Sequence, residues 1–159
     1  MTTTLFIERF LSGLPNYITC LPSDLIFNIN KGLLLKTQSP SFFVVNSSPS
    51  HIHKVGHWML VIIHSKHEVE LFDSLALCKD QLPAKIVQFV SKFKKVTFSS
   101  KSIQSPLSNF CGVFTIARAH SVCKGESLSK FYSYFHTELL HQNDIRATKY
   151  IIDSISNLY

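Results

Sequence analysis

The chain has 159 residues, of which 45% are apolar and 12% aromatic, with a formal charge of +6. That is enough for one domain with a single core, and it excludes the polar, highly charged class of chains that stays disordered. No apolar run approaches the roughly 20 residues that span a bilayer, and Met1 to Glu8 puts no basic region ahead of an apolar stretch, so residence inside a cell is expected, with neither membrane span nor secretory signal.

In chain order, Thr4 is positioned to cap a helix over Leu5–Ser12 that carries Leu5, Ile7, Phe10 and Leu11 and stops at Gly13 and Pro15. A second short helix is expected to start at Ser23 or Asp24. Turn formers at Gln38–Ser41 and Asn46–Ser50 bracket a short strand, Phe42–Val45. Trp58–His64 is a continuous apolar run of strand length with β-branched Val61, Ile62 and Ile63, as a strand buried on both faces requires. After a turn at Ser65–His67, Glu68–Phe72 begins with polar and apolar residues alternating and reads as the antiparallel partner of a hairpin.

Asp80 can cap a helix through Leu82, Ile86, Phe89, Val90 and Phe93, with Lys85, Gln88 and Lys92 facing outward. Val96–Phe98 returns as a strand. The turn-rich Ser105–Asn109 then precedes a helix from Cys111 to Cys123, marked by Val113, Ile116, Ala117 and His120 and ended by Gly125. Helices at about Ser127–His141 and Asp144–Asn157 close the chain. The expected fold class is α+β: one domain, residues 1–159, with a small, mainly antiparallel central sheet flanked by helices.

Cysteines 20, 78, 111 and 123 form no CxxC pair, so reduced thiols are expected. His51, His53 and His57 crowd together without a cysteine or carboxylate at finger-like distance, so no metal site is expected. Between Lys79 and Lys101 lie lysines 79, 85, 92, 94, 95 and 101 against one acid, Asp80. Such a field suits a polyanion such as DNA, and it equally suits a solvated helix face.

One set of residues fits covalent chemistry. A thiol peptidase needs a thiolate, an imidazole to take and return its proton, a group to orient that imidazole, and donors for the oxyanion. Cys111 stands at a helix start, where unpaired N–H groups and the helix dipole favour an anionic sulfur. Gly112 beside it leaves room for a substrate backbone. His57 enters the central strand and Asp73 leaves its partner. In a hairpin turning at Ser65–His67 these two fall opposite or nearly so, with side chains about 5 Å apart. Taken singly, each also reads as structure: Cys111 as a small core residue, His57 as a satisfied histidine, Asp73-Ser74 as a strand-ending turn.

Gly56-His57-Trp58-Met59, Leu71-Phe72-Asp73-Ser74 and the run from Gln104 through Ser105-Pro106-Leu107-Ser108-Asn109-Phe110 to Cys111-Gly112-Val113-Phe114 resemble the three signature blocks of the adenovirus-type cysteine proteases (adenain-like), and more distantly the SUMO-deconjugating proteases. The order His, Asp, Cys separates this group from papain-like enzymes. The resemblance implies a catalytic Cys111 at a helix N-terminus, His57 as base and acid, Asp73 as its orienter, and Gln104 as an oxyanion donor. It implies substrate contacts at Trp58 and Gly112. Asp73 departs from the Glu common in the adenoviral enzymes, and either carboxylate serves.

The implied function is a viral maturation endopeptidase that cuts precursor capsid and core proteins at Gly-containing sites. It would act as a monomer in the host nucleus and virion, with no cofactor needed for the chemistry. The family also implies stimulation by DNA, for which Lys85, Lys92, Lys94, Lys95 and Lys101 are the candidates, and by a viral peptide, although no cysteine stands shortly before Val96 where a disulfide-linked peptide would attach. Two alternatives stay open: a deconjugase of ubiquitin or ubiquitin-like modifiers using the same triad, and a non-catalytic nucleic-acid-binding domain built on the lysine cluster.

Overall fold

The computed structural model describes residues 3–29, 40–51 and 56–157. The chain runs through helix α1 (Thr4–Leu11), strand β1 (Tyr17–Pro22), a 3-10 turn (Ser23–Asn28), β2 (Ser41–Asn46), β3 (Trp58–Ser65), β4 (Glu68–Phe72), a second 3-10 turn (Lys79–Gln81), α2 (Ala84–Val90) and β5 (Lys95–Phe98). It continues through α3 (Cys111–Cys123), α4 (Leu128–Tyr132), a third 3-10 turn (Leu140–Gln142) and α5 (Asn143–Ser156).

The five strands lie in the order β1-β2-β3-β4-β5. The sheet is mixed, which corrects the expected mainly antiparallel one. β2–β3 and β3–β4 are antiparallel, while β1–β2 and β4–β5 are parallel. β4 and β5 are joined through α2, and a parallel neighbour needs a crossover of that kind. β1 was not anticipated: its residues are all half-buried and it ends on Pro22, so it has neither a clear alternation nor a continuous apolar run.

Side chains of alternate parity feed two cores. Phe42, Val44, Trp58, Leu60, Ile62 and Phe72 face α1, α3, α4 and α5. Phe43, Val45, Met59, Val61, Ile63, Val69 and Leu71 face α2 and the first 3-10 turn. Burial on both faces explains why β2 and β3 are apolar without interruption. Helix α3 lies on the first face and is buried along almost its whole length, with Phe114, Arg118 and Ser121 inside and Val113 only half-buried.

Several element boundaries differ from expectation. Thr3, not Thr4, caps α1, its hydroxyl accepting from Phe6 N. Asp80 sits inside a 3-10 turn, and α2 starts after Pro83, which cannot donate the bond that would continue a helix from Asp80. The helix expected over Ser127–His141 ends at Tyr132. Four residues further on, the buried Asn143 amide holds the backbone, accepting from His136 N at 2.8 Å and donating to His136 O at 2.8 Å and Ile103 O at 2.9 Å. Residues 38 and 39 of the expected Gln38–Ser41 turn, and His53, lie outside the described residues.

Candidate active site

The two strand ends that meet α3 are fixed by their own backbones. His57 N donates to Ser47 Oγ at 2.8 Å and Ser47 N to His57 O at 2.8 Å, which sets the histidine as β3 begins. Gly56 is needed just before it, since a Cβ there would lie 2.0 Å from Asn46 Oδ1 and 2.5 Å from Ser48 Oγ. Asp73 follows β4, and the chain curls back over its carboxylate through Ala76, which has a positive φ of 49°. Leu75 N donates to Asp73 Oδ1 at 2.9 Å and Leu77 N to Oδ2 at 2.8 Å, while Asp73 N donates to Ser99 Oγ at 2.8 Å.

The His57 imidazole spans the gap, with Nε2 2.5 Å from Asp73 Oδ1. The strand register behind this contact differs from the expected one. Leu60 pairs with Phe72, and Ser65 with Glu68 across a bulge, so the ladder is displaced by two residues and His57 and Asp73 are not cross-strand partners. Their side chains meet because both lie beyond the paired region and lean together.

Cys111 is the first residue of α3, only 8% exposed, with Phe110 as its cap residue. The His57 side chain and the backbone N–H groups of Trp58 and Gly112 lie near enough to its thiol to favour the anion. With Nε2 held by Asp73, the ring nitrogen left for sulfur is Nδ1. The hydroxyl of Thr115, one turn along α3, donates to Trp58 O at 3.3 Å and ties the helix to β3.

These contacts oppose burial and outweigh it. Burial pushes the Cys111 thiol up, but the His57 hydrogen bond, the Trp58 and Gly112 N–H groups and the imidazolium charge bring it below its ordinary value. Burial pulls the imidazole down, but the bonds to Asp73 and Cys111 and their negative charge push it up to about 9. Burial also raises Asp73, whereas the His57 bond and charge and the Leu77 and Leu75 N–H groups hold it below the usual carboxylate range. Each hydrogen bond to a charged group contributes about 1.5–3 kcal/mol, which is why several together prevail. All three shifts run toward a thiolate–imidazolium pair beside a carboxylate.

Gln104 is 1% exposed and held on both sides of its amide. Ser74 Oγ donates to its Oε1 at 2.6 Å, and its Nε2 donates to Ser108 O at 2.8 Å. One Nε2 hydrogen remains without a protein partner among the described residues. The Cys111 N–H, at the first helical position, has no intrahelical acceptor. Sequence reasoning missed Ser74, Ser99 and Ser108, which fix Asp73 and Gln104. Only their closeness to those residues marks them in the sequence.

The remaining candidates fall differently. The Trp58 side chain is 5% exposed and packed in the core, so what it brings to Cys111 is its main chain. Gly112 is buried in the first turn of α3. The lysines 79, 85, 92, 94, 95 and 101 are all exposed. Lys85 and Lys92 belong to the α2 layer and stand over the Phe27 ring at 5.8 and 4.4 Å, with the sheet between them and α3. Lys94 and Lys95 mark β5, an edge strand where lysines block pairing with another chain, and Lys95 bonds Glu68 at 2.6 Å. Lys101 leads into the loop that carries Gln104.

All four cysteines are free thiols. Among the described residues no group of three or more His, Cys, Asp or Glu side chains is arranged to hold a metal, and no helix is long and apolar enough to cross a membrane.

No family model matches this chain, and no curated protein matches it in sequence. In fold it is similar to the central domain of the Lpg1148 protein from Legionella pneumophila, with a TM-score of 0.60 and 12% identity over 98% of this chain and 97% of that one. It is also similar to a deletion variant of AvrA solved with IP6 and CoA, with a TM-score of 0.51 and 18% identity over 91% of this chain. The chain matches about half, 53%, of that AvrA structure. At such identities the likeness concerns the fold alone.

Proposed function

We propose that this chain is a cysteine-type endopeptidase that works through Cys111, His57 and Asp73, with Gln104 and the Cys111 N–H receiving the oxyanion. The observation that carries the reading is the His57 imidazole held between the Asp73 carboxylate and the Cys111 thiol, with both polarised toward the charged state. The Cys111 thiolate adds to the scissile carbonyl carbon, and the carbonyl electrons move onto oxygen, where the two donors meet them. The tetrahedral species then collapses, expelling the amine as His57 gives it a proton and leaving a thioester. The now neutral imidazole takes a proton from water, whose oxygen attacks the thioester to release the carboxylate product and the thiolate. No metal is needed for any of these steps.

The substrate assignment rests on the resemblance of the three sequence blocks: viral precursor proteins cut beside Gly, in the host nucleus and virion, with DNA and a viral peptide as stimulators. The test is cleavage of Gly-containing peptides by wild type and Cys111→Ala, each with and without DNA. Wild type should cleave, and Cys111→Ala should lose at least about 10³-fold in kcat with an unchanged melting temperature. Cleavage surviving in Cys111→Ala would refute the assignment. Rapid labelling by a ubiquitin-like vinyl sulfone, with no peptide cleavage, would transfer the reading to deconjugation.

A second reading is favoured by the likeness to AvrA, whose structure holds CoA. The same thiolate would take an acyl group from an acyl-CoA thioester, expel the CoA thiolate, and pass the acyl group to an amine. Cys111-dependent release of free CoA from acetyl-CoA would favour it.

A further inference from the structure

The loop from Ile103 to Phe110 carries Gln104 and delivers the chain to Cys111, so its position fixes both oxyanion donors. Ser74 holds its first part: Ser74 O accepts from Ile103 N at 2.9 Å and Gln104 N at 3.0 Å. The rest is fastened from a distant part of the sequence, the first turn of α5. Asn143 Nδ2 donates to Ile103 O at 2.9 Å, and Ser108 Oγ donates to the Asp144 carboxylate, 2.9 Å from each oxygen.

The Ser108 hydroxyl oxygen then accepts from Phe110 N at 3.2 Å, one residue before the nucleophile, and Ser108 O accepts from Gln104 Nε2 at 2.8 Å. Asp144 is thus bonded to the one residue that touches both Gln104 and the entrance to α3. A hydroxyl held by a carboxylate has its hydrogen committed outward, which leaves its lone pairs to Phe110 N. Asn143 differs in kind: it is fully buried, and its other bonds close the chain at His136, so it holds the fold together.

We propose that Asp144 is a positioning residue which, through Ser108, sets the Gln104 amide and the Cys111 N–H in register for the oxyanion. This rests on the peptidase reading and extends it to α5, which carries none of the reacting groups. An acid in the first turn of a helix also favours the helix dipole, and the two roles make different predictions. The dipole needs a charge. Positioning needs an acceptor for the Ser108 hydroxyl, and Asn supplies one.

The experiment compares Asp144→Ala, Asp144→Asn, Ser108→Ala and the Asp144→Ala/Ser108→Ala double variant on a peptide substrate. It also follows alkylation of Cys111 against pH and the hydrogen exchange of residues 104–110. Asp144→Ala should lower kcat by about 10–100-fold with KM within about twofold, the loss expected of a misplacement of about 1 Å. Ser108→Ala should match it, the double variant should be no worse than either, and Asp144→Asn should keep kcat within about threefold of wild type. The alkylation profile should not move, since His57, Trp58 and Gly112 set the thiol. Exchange at Phe110 should quicken in Asp144→Ala and not in Asp144→Asn.

A kcat within about twofold of wild type in Asp144→Ala, or Asp144→Asn as poor as Asp144→Ala, overturns the proposal. Wild type that cleaves no peptide overturns the peptidase reading instead. In that case exchange decides the positioning role, and an unaltered Phe110 amide in Asp144→Ala rejects it.

Discussion

Along β3, β4 and α3 the protein builds a three-part cluster twice. At the open strand ends, His57, Asp73 and Cys111 meet; seven residues along α3, His64, Glu70 and Arg118 meet, with His64 Nε2 3.2 Å from Glu70 Oε2. In each, a histidine of the β3 segment touches a carboxylate of the β4 segment, and α3 supplies the third member.

They differ in what is left unsatisfied. Arg118 is 1% exposed and bonded through all three nitrogens, with four of its five N–H groups used: Nε and Nη2 each reach Glu70 at 3.0 Å, and Nη1 reaches Ser121 Oγ at 2.8 Å and Glu126 O at 3.0 Å. Its guanidinium also stands 5.6 Å from the centre of the Phe131 ring. Burial pushes Glu70 up, and His64 and Arg118 more than compensate, so it stays charged. The Cys111 cluster has a thiol as its third member, and near it one Gln104 Nε2 hydrogen and the Cys111 N–H are without a protein partner among the described residues. A guanidinium bonded on all three nitrogens is held in place by its partners, whereas a thiol keeps a reactivity that its charge state controls.

The comparison is open to direct attack. The largest stability change should come from Arg118→Ala, which leaves Glu70 charged and buried with only His64, and should cost about 3–5 kcal/mol in urea unfolding. The double variant Glu70→Leu/Arg118→Met should recover most of that loss, because two apolar groups of similar volume need no charge partner. If Arg118→Ala unfolds at the same urea concentration as wild type, the cluster does not support the fold in this way.

Asp73→Asn should act on activity, lowering kcat/KM by about 10²–10⁴-fold through loss of the imidazole's orientation and partner charge. Its pH signature has a definite sign. The raised His57 value, about 9 in the wild type, gives stability that is fully present below the ordinary histidine range near 6.5 and is lost as pH rises through about 9. Without the Asp73 charge that loss, and the alkaline limb of Cys111 alkylation, should both move toward neutral pH. An alkaline limb that stays in place would show that Asp73 does not hold the imidazolium.

The smallest effect belongs to His64→Ala. The His64 side chain is 34% exposed and Arg118 remains on Glu70, so stability should change by less than about 1 kcal/mol, and peptide cleavage should not change.

Much of this was legible in the sequence, and the rest was not, for reasons visible in particular residues. β3 and the end of α3 could be read because β-branched runs and a glycine stop, here Gly125 at φ 73°, are local signals. The register of Leu60–Ile63 against Val69–Phe72 is that of a turn centred on Lys66, which sets Asp73 two residues out of step with His57, so their meeting was not legible from the ladder. The course of the chain after α4 was not, because Asn143 holds His136 from another helix. Nothing in the sequence near Glu70 or near Arg118 marks them as partners, since they stand 48 residues apart. Each is interpretable only beside the other.

By itself, then, the sequence determined the α+β class and brought Cys111, His57, Asp73 and Gln104 forward as candidates, through residue type, spacing and resemblance to a known family. Tertiary structure alone decided the parallel outer strands, the meeting of His57 and Asp73 beyond the paired ladder, and the fastening of the Gln104 loop by Asp144. Those depend on contacts between segments far apart along the chain. Such contacts form only when both faces of the sheet are covered, and no window of sequence contains both partners.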